Sequence, residues 1–252
     1  MVASGNTTMS HLLLSLTPCS IRLDPYVPTL STYPQVPARE LHIQVNPEAI
    51  LEVVPGVASY VGGDIVAGIL ACGIADNPET KVLIDVGTNG EIAIGNNEWL
   101  VCCSASAGPA FEGGGLRDGM RATRGAIQKL NIEDGKLHYE TIGKVKPRGI
   151  CGSGLIDLAA QLFMAGMIDL RGKFVPEKCG KRLVEEDGIR HLIVVEAESS
   201  GTGKALTLSQ TDLDGLIRSK AAMYTILTTI SNTVGIAFQD IHRFYVAGTF
   251  GS

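Results

Sequence analysis

Asp85-Val86-Gly87-Thr88-Asn89-Gly90-Glu91 is the stretch of sequence that decides the fold. The apolar run 81–85 predicts a buried strand that leads into it, and residues 91–94 predict the strand that returns from it. An apolar strand that ends in Asp-x-Gly-Thr and turns back into a second strand is typical of a hairpin that holds phosphate. Glycine at position 87 lets the backbone approach an anion with no Cβ in the way.

The hairpin supplies candidate ligands for phosphate and for a metal ion. Its amide groups and the Thr88 hydroxyl can face phosphate oxygens, so the candidate phosphate contacts are Gly87, Thr88, Asn89 and Gly90. Asp85 would repel phosphate, but a carboxylate at that position can hold a hydrated magnesium ion. The alternative is an ordinary β-hairpin, because Asn-Gly is also the most favourable short turn between two strands.

A second glycine turn lies near the end of the sequence. Residues 243–247 predict a buried strand, and Gly248-Thr249-Phe250-Gly251 follows it as a Gly-x-x-Gly turn into a helix. Such a turn can lay its backbone against a purine and bring the helix start near phosphate. Gly248, Thr249 and Gly251 are therefore candidate nucleotide contacts. The turn lies about 160 residues after Asp85, and together the two elements predict the phosphate and adenosine sides of one nucleotide cleft.

Three acidic residues are candidates for the chemistry of such a cleft. Asp64 lies near the start of a helix predicted over 58–75, where it can face the magnesium ion or the attacking water, or simply be a first-turn acid favoured by the helix dipole. Glu91 and Glu112 compete for the role of orienting the water, and Glu112 lies in a glycine-dense loop that can close over a site. The alternative for each of them is a solvated surface acid.

Gly152-Ser153-Gly154 opens a helix that is predicted over 153–165. Backbone amides at a helix start can receive an anion or the edge of a purine, so Gly152, Ser153 and Gly154 are further candidate nucleotide contacts. A close-packed turn that needs glycine for steric reasons is an equally good interpretation.

The remaining periodicities predict an alternation of helices and strands. Helices are predicted over 7–16 and from Thr211 to about Gly235, the latter with Thr211 as its cap and the Asp214 carboxylate three residues on. Further strands are predicted over 2–3, 99–104 and 136–142. Five prolines between Pro18 and Pro37 indicate an extended excursion over a surface.

Composition limits the classes of partner and compartment. The chain has 252 residues, of which 45% are hydrophobic and 19% charged, and its net charge is −5, which is typical of a well-packed globular protein. No basic patch that would select nucleic acid or an anionic membrane surface is apparent, and no apolar run is long enough to span a membrane. The six cysteines stand mostly in apolar surroundings, which predicts reduced thiols and a cytoplasmic location. Their spacing lacks the plant-type ferredoxin pattern.

Several long segments of the chain resemble the reductive activators of corrinoid proteins. The segments that carry the resemblance are Gly5-Asn6-Thr7-Thr8-Met9, Asp85 to Glu91, Cys103 to Gly113, Gly119-Met120-Arg121-Ala122 and Gly149 to Asp157. The resemblance implies an α/β fold with a ribonuclease H-like core, the actin-like ATPase fold shared by acetate and sugar kinases, heat-shock chaperones and actin (ASKHA). It also implies that this fold is incomplete at both ends of the chain.

The resemblance further implies an activity, cofactors and a partner. In that family, binding and hydrolysis of ATP with magnesium drive an electron from an iron–sulfur cluster onto inactive cob(II)alamin, which gives cob(I)alamin on a corrinoid protein. Members carry a ferredoxin-type domain with a 2Fe-2S cluster and an earlier Asp-x-Gly-Thr loop, and neither is found in this sequence. We therefore expect a partial ATPase domain that is weak or inactive alone, with an entry strand, helix and proline-rich excursion in 1–57 and a nucleotide-site lobe in 58–252.

Two functions of other classes remain open. One is a small-molecule kinase or phosphatase of the same fold, for which Asp64 is an eligible catalytic base. The other is a docking or dimerisation module without enzymatic activity. The long helix predicted after Thr211 also makes a homodimer an expectation.

Overall fold

The chain folds into the α/β arrangement that the alternating periodicities predict. A computed structural model describes residues 1–87, 89–106, 115–133 and 135–248. The helices of the described residues are α1 (Thr7–Leu13), α2 (Cys19–Arg22), α3 (Gly63–Ala71), α4 (Gly152–Met164), α5 (Pro176–Cys179) and α6 (Gln210–Val234). The strands are β1 (Val2–Ala3), β2 (Val36–Pro37), β3 (Ile50–Val53), β4 (Lys81–Val86), β5 (Asn89–Gly95), β6 (Leu100–Ser106), β7 (Ala126–Glu133), β8 (Lys136–Thr141), β9 (Gly149–Ile150), β10 (Leu183–Glu186), β11 (Ile189–Val195), β12 (Leu206–Ser209) and β13 (Arg243–Ala247).

These elements divide into two compact units. Unit 1 comprises Met1–Val86, Gly90–Ala105 and Ile226–Ala247, and unit 2 comprises Gly87–Asn89, Ser106–Thr225 and Gly248–Ser252. Within the described part of the chain, none of the helices combines the length and the apolar character that a membrane crossing requires.

Unit 1 is built on a four-stranded sheet in the order β13-β4-β5-β6. β13 runs parallel to β4, and β4 runs antiparallel to β5. Since successive strand residues point to opposite faces, every second residue can pack under α3. The resulting cluster consists of Val61, Ile65, Ile74, Leu83 and Ala93, with the partly buried Ile69, Cys72, Cys102, Tyr245 and Ala247 packed against it. Gly68 lets α3 lie close to the sheet, because a Cβ at that position would stand 2.7 Å from Cδ2 of Leu83.

The first residues of the chain enter unit 1 through a small sheet in the order β1-β3-β2. The predicted entry strand is present, with Val2 opposite Glu52 in a parallel pair. Asn6 caps α1, since its Oδ1 accepts a hydrogen bond from the amide of Met9 at 2.9 Å. α1 ends at Leu13, three residues before the predicted position 16. Ser15, just beyond this end, has a positive φ of 56°. The proline-rich excursion contains the one-turn helix α2, which the proline content alone did not predict.

Unit 2 contains two three-stranded sheets, β8-β7-β9 and β10-β11-β12. α4 packs along β7, and two of its side chains reach backbone amides of that strand. Asp157 Oδ2 accepts from the amide of Leu130 at 3.3 Å, and Gln161 Oε1 accepts from the amide of Ile132 at 3.2 Å. Polar contacts therefore fix the position of α4 along the strand in addition to apolar packing.

α3 is shorter than the helix predicted over 58–75. Ala58 and Val61 pair in an isolated β-bridge before it, so the helix begins only at Gly63. It ends at Ala71, because Gly73 adopts a left-handed φ of 58° that breaks the helical path. The prediction was wrong at both ends because the apolar periodicity extends beyond the residues that can be helical.

α6 has a different cap from the one that the sequence predicts. The helix begins at Gln210, and Ser209 rather than Thr211 provides the side-chain cap. The Oγ of Ser209 accepts from the amide of Asp212 at 3.0 Å, and Oδ2 of Asp212 accepts from the amide of Ser209 at 3.0 Å. This reciprocal pair is a capping box. Asp214 instead forms an ion pair with a lysine of unit 2.

Candidate functional site

The predicted phosphate hairpin is formed by β4 and β5. Asp85, near the end of β4, lies directly opposite Glu91 in β5. In the turn between the strands, the amide of Gly87 donates to the carbonyl oxygen of Asn89 at 2.9 Å. Thr88 lies outside the described residues. The hairpin thus brings a candidate metal ligand and a candidate catalytic acid side by side at the base of a glycine turn.

Asp85 and Glu91 belong to a polar row that crosses one face of the unit 1 sheet. Ala247 at the end of β13 lies beside Asp85 in the parallel pair. On the other side, the Oγ of Ser104 in β6 donates to Oε1 of Glu91 at 3.1 Å. The polar row therefore consists of Asp85, Glu91 and Ser104 on three neighbouring strands, and Ala247 of the fourth strand flanks it beside Asp85.

An apolar row lies two residues further back on the same four strands. Its members all pack in or against the hydrophobic cluster under α3, and they are Tyr245, Leu83, Ala93 and Cys102. Residues two apart in a strand share a face, so the polar row continues this face toward the edge at which β4 and β13 end. Packing of α3 on the apolar row consequently determines which way the polar row points.

Asp64 joins these acids from the first turn of α3. Two glycines let this turn pack against neighbouring backbone. A Cβ on Gly62 would stand 2.6 Å from Cα of Asn6, and a Cβ on Gly63 would stand 2.4 Å from the carbonyl oxygen of Val54. Because no real Cβ tolerates such distances, the position of the Asp64 carboxylate depends on both glycines.

Asp85 and Glu91 both bind a proton more readily than ordinary exposed acids do. Burial raises the pKa of Asp85, and repulsion by Asp64 raises it further. Burial also raises the pKa of Glu91, the hydrogen bond from Ser104 lowers it, and the charges of Asp85 and Asp64 raise it. A proton or a bound cation therefore relieves repulsion at this edge of the sheet.

The donor set at this edge fits a hydrated magnesium ion better than a closed protein cage. Across the residues that the structure describes, no group of three or more His, Cys, Asp or Glu side chains is arranged to hold a metal ion. Magnesium needs no such group, since it usually keeps several waters and binds one or two carboxylates together with substrate phosphates. Asp85, half-buried beside the glycine turn, meets that requirement.

Gly87 and Gly248 come directly after the ends of β4 and β13. Among the described residues, a Cβ on Gly87 would meet only the carbonyl oxygen of Asn89, at an ordinary contact distance of 3.6 Å, so none of them requires glycine there. Gly248 has a φ of 100°, which favours glycine whatever the ligand.

Three further candidates, Glu112, Thr249 and Gly251, lie outside the described residues. Gly90 is buried in β5. The nucleotide roles of these hairpin and turn residues remain predictions.

Gly152, Ser153 and Gly154 form the first turn of α4 in unit 2. A Cβ on Gly154 would stand 2.2 Å from the carbonyl oxygen of Ile127 in β7, and the Sγ of Cys151 donates to the same oxygen at 3.1 Å. Close packing therefore accounts for Gly154 without a ligand. The nucleotide contacts assigned to this turn stay a prediction.

Sequence reasoning missed Ser104 and the glycine pair at 62 and 63 as parts of this site. The short turn between β5 and β6 could have indicated Ser104. If the two strands pair as a hairpin outward from that turn, residue 104 lies opposite residue 91. The two glycines offer no comparable local signal, because the backbone that they contact lies at residues 6 and 54.

Comparison with known proteins gives a consistent result. The family described as "C-terminal domain of RACo the ASKHA domain" matches residues 79–252, and the "RACo middle region" matches residues 1–77. The corrinoid activation enzyme RamQ of Eubacterium limosum is 36% identical over 259 residues, which cover 100% of this chain and 43% of that protein. The Co(II) methylated amine-specific corrinoid protein reductase of Methanosarcina barkeri is 28% identical over 222 residues, which cover 79% of this chain and 37% of that protein.

A solved structure gives the same result. A chain named "Reductive activator for corrinoid,iron-sulfur protein" matches with a TM-score of 0.88 and 45% identity, over 99% of this chain and 40% of that chain. The present chain thus spans about two fifths of the length of the relatives that it matches.

Proposed function

Because the chain belongs to the RACo family of reductive activators of corrinoid proteins, we propose that it is the part of such an activator that binds and hydrolyses ATP. Its residues from 79 onward form an ASKHA domain. In the whole protein, ATP hydrolysis would drive the reduction of cob(II)alamin to cob(I)alamin on a corrinoid protein. The electron transfer itself belongs to that whole protein, of which this chain spans the smaller part.

The observation that carries the proposal is the polar row beside the glycine turn. Asp85 and Glu91 lie opposite each other at the base of the turn, and Ala247, the residue before Gly248, lies beside Asp85. The two glycine segments singled out from the sequence therefore leave the sheet at the same edge. No residue in the described part of the chain crowds position 87, which further supports close approach of a phosphate.

We assign the nucleotide phosphates to the turn formed by residues 87–90 and the adenosine side to the turn that begins at Gly248. Asp85 would hold magnesium through its water shell. When bound, the ion would neutralise phosphate charge and orient the transferred group. Asp64 faces the same edge and would orient waters around Asp85, while Glu112 is the alternative to Glu91 as water-orienting acid.

In this assignment Glu91 orients the attacking water. Its carboxylate accepts a proton from the water as the water oxygen bonds to the γ-phosphorus and the bond to the ADP oxygen breaks, so that ATP and water give ADP and phosphate. The raised pKa of Glu91 suits this role, because a general base is most effective when its pKa lies near the working pH.

The cysteines of this chain do not fit an iron–sulfur cluster. All six are free, and Cys151 and Cys179 are buried; their only hydrogen-bond acceptors described are backbone oxygens or a serine hydroxyl. We therefore assign no electron-transfer step to these residues. Free thiols do support a reducing compartment, and we propose a cytoplasmic location on that basis.

Calorimetric titration of magnesium and ATP into the full-length protein tests the nucleotide site. We expect binding that depends on magnesium, and we expect Asp85→Asn to weaken it. Glu79→Gln removes one negative charge from an exposed loop of the same unit and should leave the affinity unchanged. If ATP does not bind, the chain is better described as a docking or dimerisation module.

The activator role is tested by mixing the full-length protein with a corrinoid protein, an electron donor and ATP. Formation of cob(I)alamin should require ATP, and ATP consumption should rise when the corrinoid protein is added. ATP consumption that is indifferent to the corrinoid protein would favour a small-molecule kinase or phosphatase. Sedimentation of the same protein tests whether it forms the homodimer expected from the long helix.

A further inference from the structure

Ser104 occupies a special position in the polar row. It follows Cys102 by two residues in β6, and Cys102 packs against the apolar cluster, so the two side chains share one face of the strand. Ser104 is half-buried. At a position that continues an apolar face, packing alone would favour an apolar side chain. A hydroxyl group at this position therefore requires a polar partner.

That polar partner is Glu91. The Oγ of Ser104 donates to Oε1 of Glu91 at 3.1 Å, and Glu91 has Asp85 as its neighbour on the other strand. The carboxylate of Glu91 thus stands between a repelling carboxylate and a donating hydroxyl. A hydrogen bond from a neutral donor holds one oxygen and favours the ionised form of the acid.

We propose that Ser104 is a positioning residue for the water-orienting carboxylate. Its hydrogen bond to Oε1 holds the carboxylate of Glu91 in the orientation from which it takes the proton of the attacking water. This inference rests on the proposed role of Glu91 in ATP hydrolysis, but the hydrogen bond on which it is based can be tested separately.

The first experiment follows the ionisation of Glu91. The titration midpoint of its side-chain carboxyl is measured by carbon-13 NMR in the unsubstituted protein and in three variants. Ser104→Ala should move the midpoint to higher pH, because the hydrogen bond to Ser104 lowers the pKa of Glu91. Ser104→Thr, which keeps a hydroxyl group, should restore it, and Ser106→Ala, at an exposed position of the same strand, should have no effect. A midpoint that Ser104→Ala does not move overturns the proposal.

The second experiment measures ATP hydrolysis by the same variants of the full-length protein as a function of pH. We expect Ser104→Ala to lower kcat about fivefold, as for loss of an ordinary hydrogen bond, with little change in KM, and to move the acidic limb of the profile to higher pH. Ser104→Thr should recover both. An unchanged profile for Ser104→Ala, in a protein in which Glu91→Gln abolishes hydrolysis, also overturns the proposal.

A third outcome separates the proposal from the function on which it rests. If Glu91→Gln leaves hydrolysis unchanged, the water-orienting role assigned to Glu91 is wrong. Ser104 then loses its place in catalysis, while the titration still decides whether it sets the ionisation of Glu91.

Discussion

Replacing Asp85 by asparagine should make the free protein more stable while it weakens binding of magnesium and ATP. Asp85 lies directly opposite Glu91, and its pKa is raised by burial and by the charge of Asp64. Asparagine has nearly the same shape, so the packing of β4 is retained. The substitution removes one of three mutually repelling charges from the edge of the sheet.

The expected size follows from the pairing. Like charges directly opposite each other on neighbouring strands destabilise a sheet, and such a pair contributes about 0.2–1 kcal/mol. Asp64 acts on the same carboxylate from α3 and adds to this. For a chain of this size about 1 kcal/mol corresponds to a shift in melting temperature of about 2–4 °C, so we expect Asp85→Asn to raise the melting temperature by about 1–4 °C.

The stability gained by Asp85→Asn should depend on pH. An acid whose pKa is raised by folding binds protons more readily in the folded state, so it stabilises the fold fully below its ordinary pKa. The ordinary values are 3.8 for Asp85 and 4.5 for Glu91, and both pKa values are raised in the fold. Stability from these groups is lost as the pH rises through the raised pKa values. The advantage of Asp85→Asn is therefore greatest above that range and vanishes as the pH falls toward 3.8.

The assay is thermal unfolding without nucleotide and with a magnesium chelator, at about pH 8 and about pH 4. Glu79→Gln is the matched control, since it changes the net charge equally from an exposed loop position. The reasoning fails if Asp85→Asn is less stable than the unsubstituted protein at the higher pH. It also fails if the gain is the same at both pH values, or if the control shows an equal gain.

Three further predictions concern packing and capping, and urea unfolding measures each. Gly154→Ala should lower the free energy of unfolding by about 1–3 kcal/mol through overpacking, because the added Cβ would stand 2.2 Å from a carbonyl oxygen. Gly215→Ala, in α6 with its nearest neighbour at 3.9 Å, should instead raise the free energy of unfolding by about 0.5–1 kcal/mol. Equal effects at both sites would contradict the role of packing. Lys81→Met should cost about 1–3 kcal/mol, because the buried Nζ donates to the carbonyl oxygen of Gly73 at 2.7 Å, and no loss would show that water replaces the ammonium group. Ser209→Ala should lower the free energy of unfolding by about 1 kcal/mol, because Ser209 caps α6. An unchanged free energy of unfolding would favour Thr211 as the cap instead.

The strands of the site were predictable from the sequence because their signals are local. The run ending at Asp85 is apolar and bounded by a glycine turn, and the strands over 81–86 and 89–95 extend the predicted ones by a residue or two. The resemblance to reductive activators of corrinoid proteins predicted the ASKHA fold, and the comparisons confirm it. The sequence left two interpretations of Asp64 open, and the choice between them depends on packing of α3 across the sheet, which brings Asp64 close enough to act on Asp85.

The cap of α6 was predicted wrongly because a distant partner decides between two local alternatives. Both Ser209 and Thr211 are followed three residues later by aspartate, so the sequence offers two equivalent capping boxes. Lys173 settles the choice, because its Nζ pairs with Asp214 at 2.7 Å and leaves Asp212 to cap the helix. A pattern confined to four residues carries no information about a lysine 41 positions away.

The same dependence on distant packing explains how the sheet can hold a row of acids at all. A shift of one residue in the register of β4 would turn Asp85 to the opposite face of the sheet and remove it from Glu91. Leu83, two residues earlier, prevents that shift because it is 3% exposed in the cluster beneath α3. Burial of the apolar row therefore offsets the repulsion in the polar row and also fixes its direction. The hydrophobic core of unit 1 is in this sense a positioning element of the proposed nucleotide site.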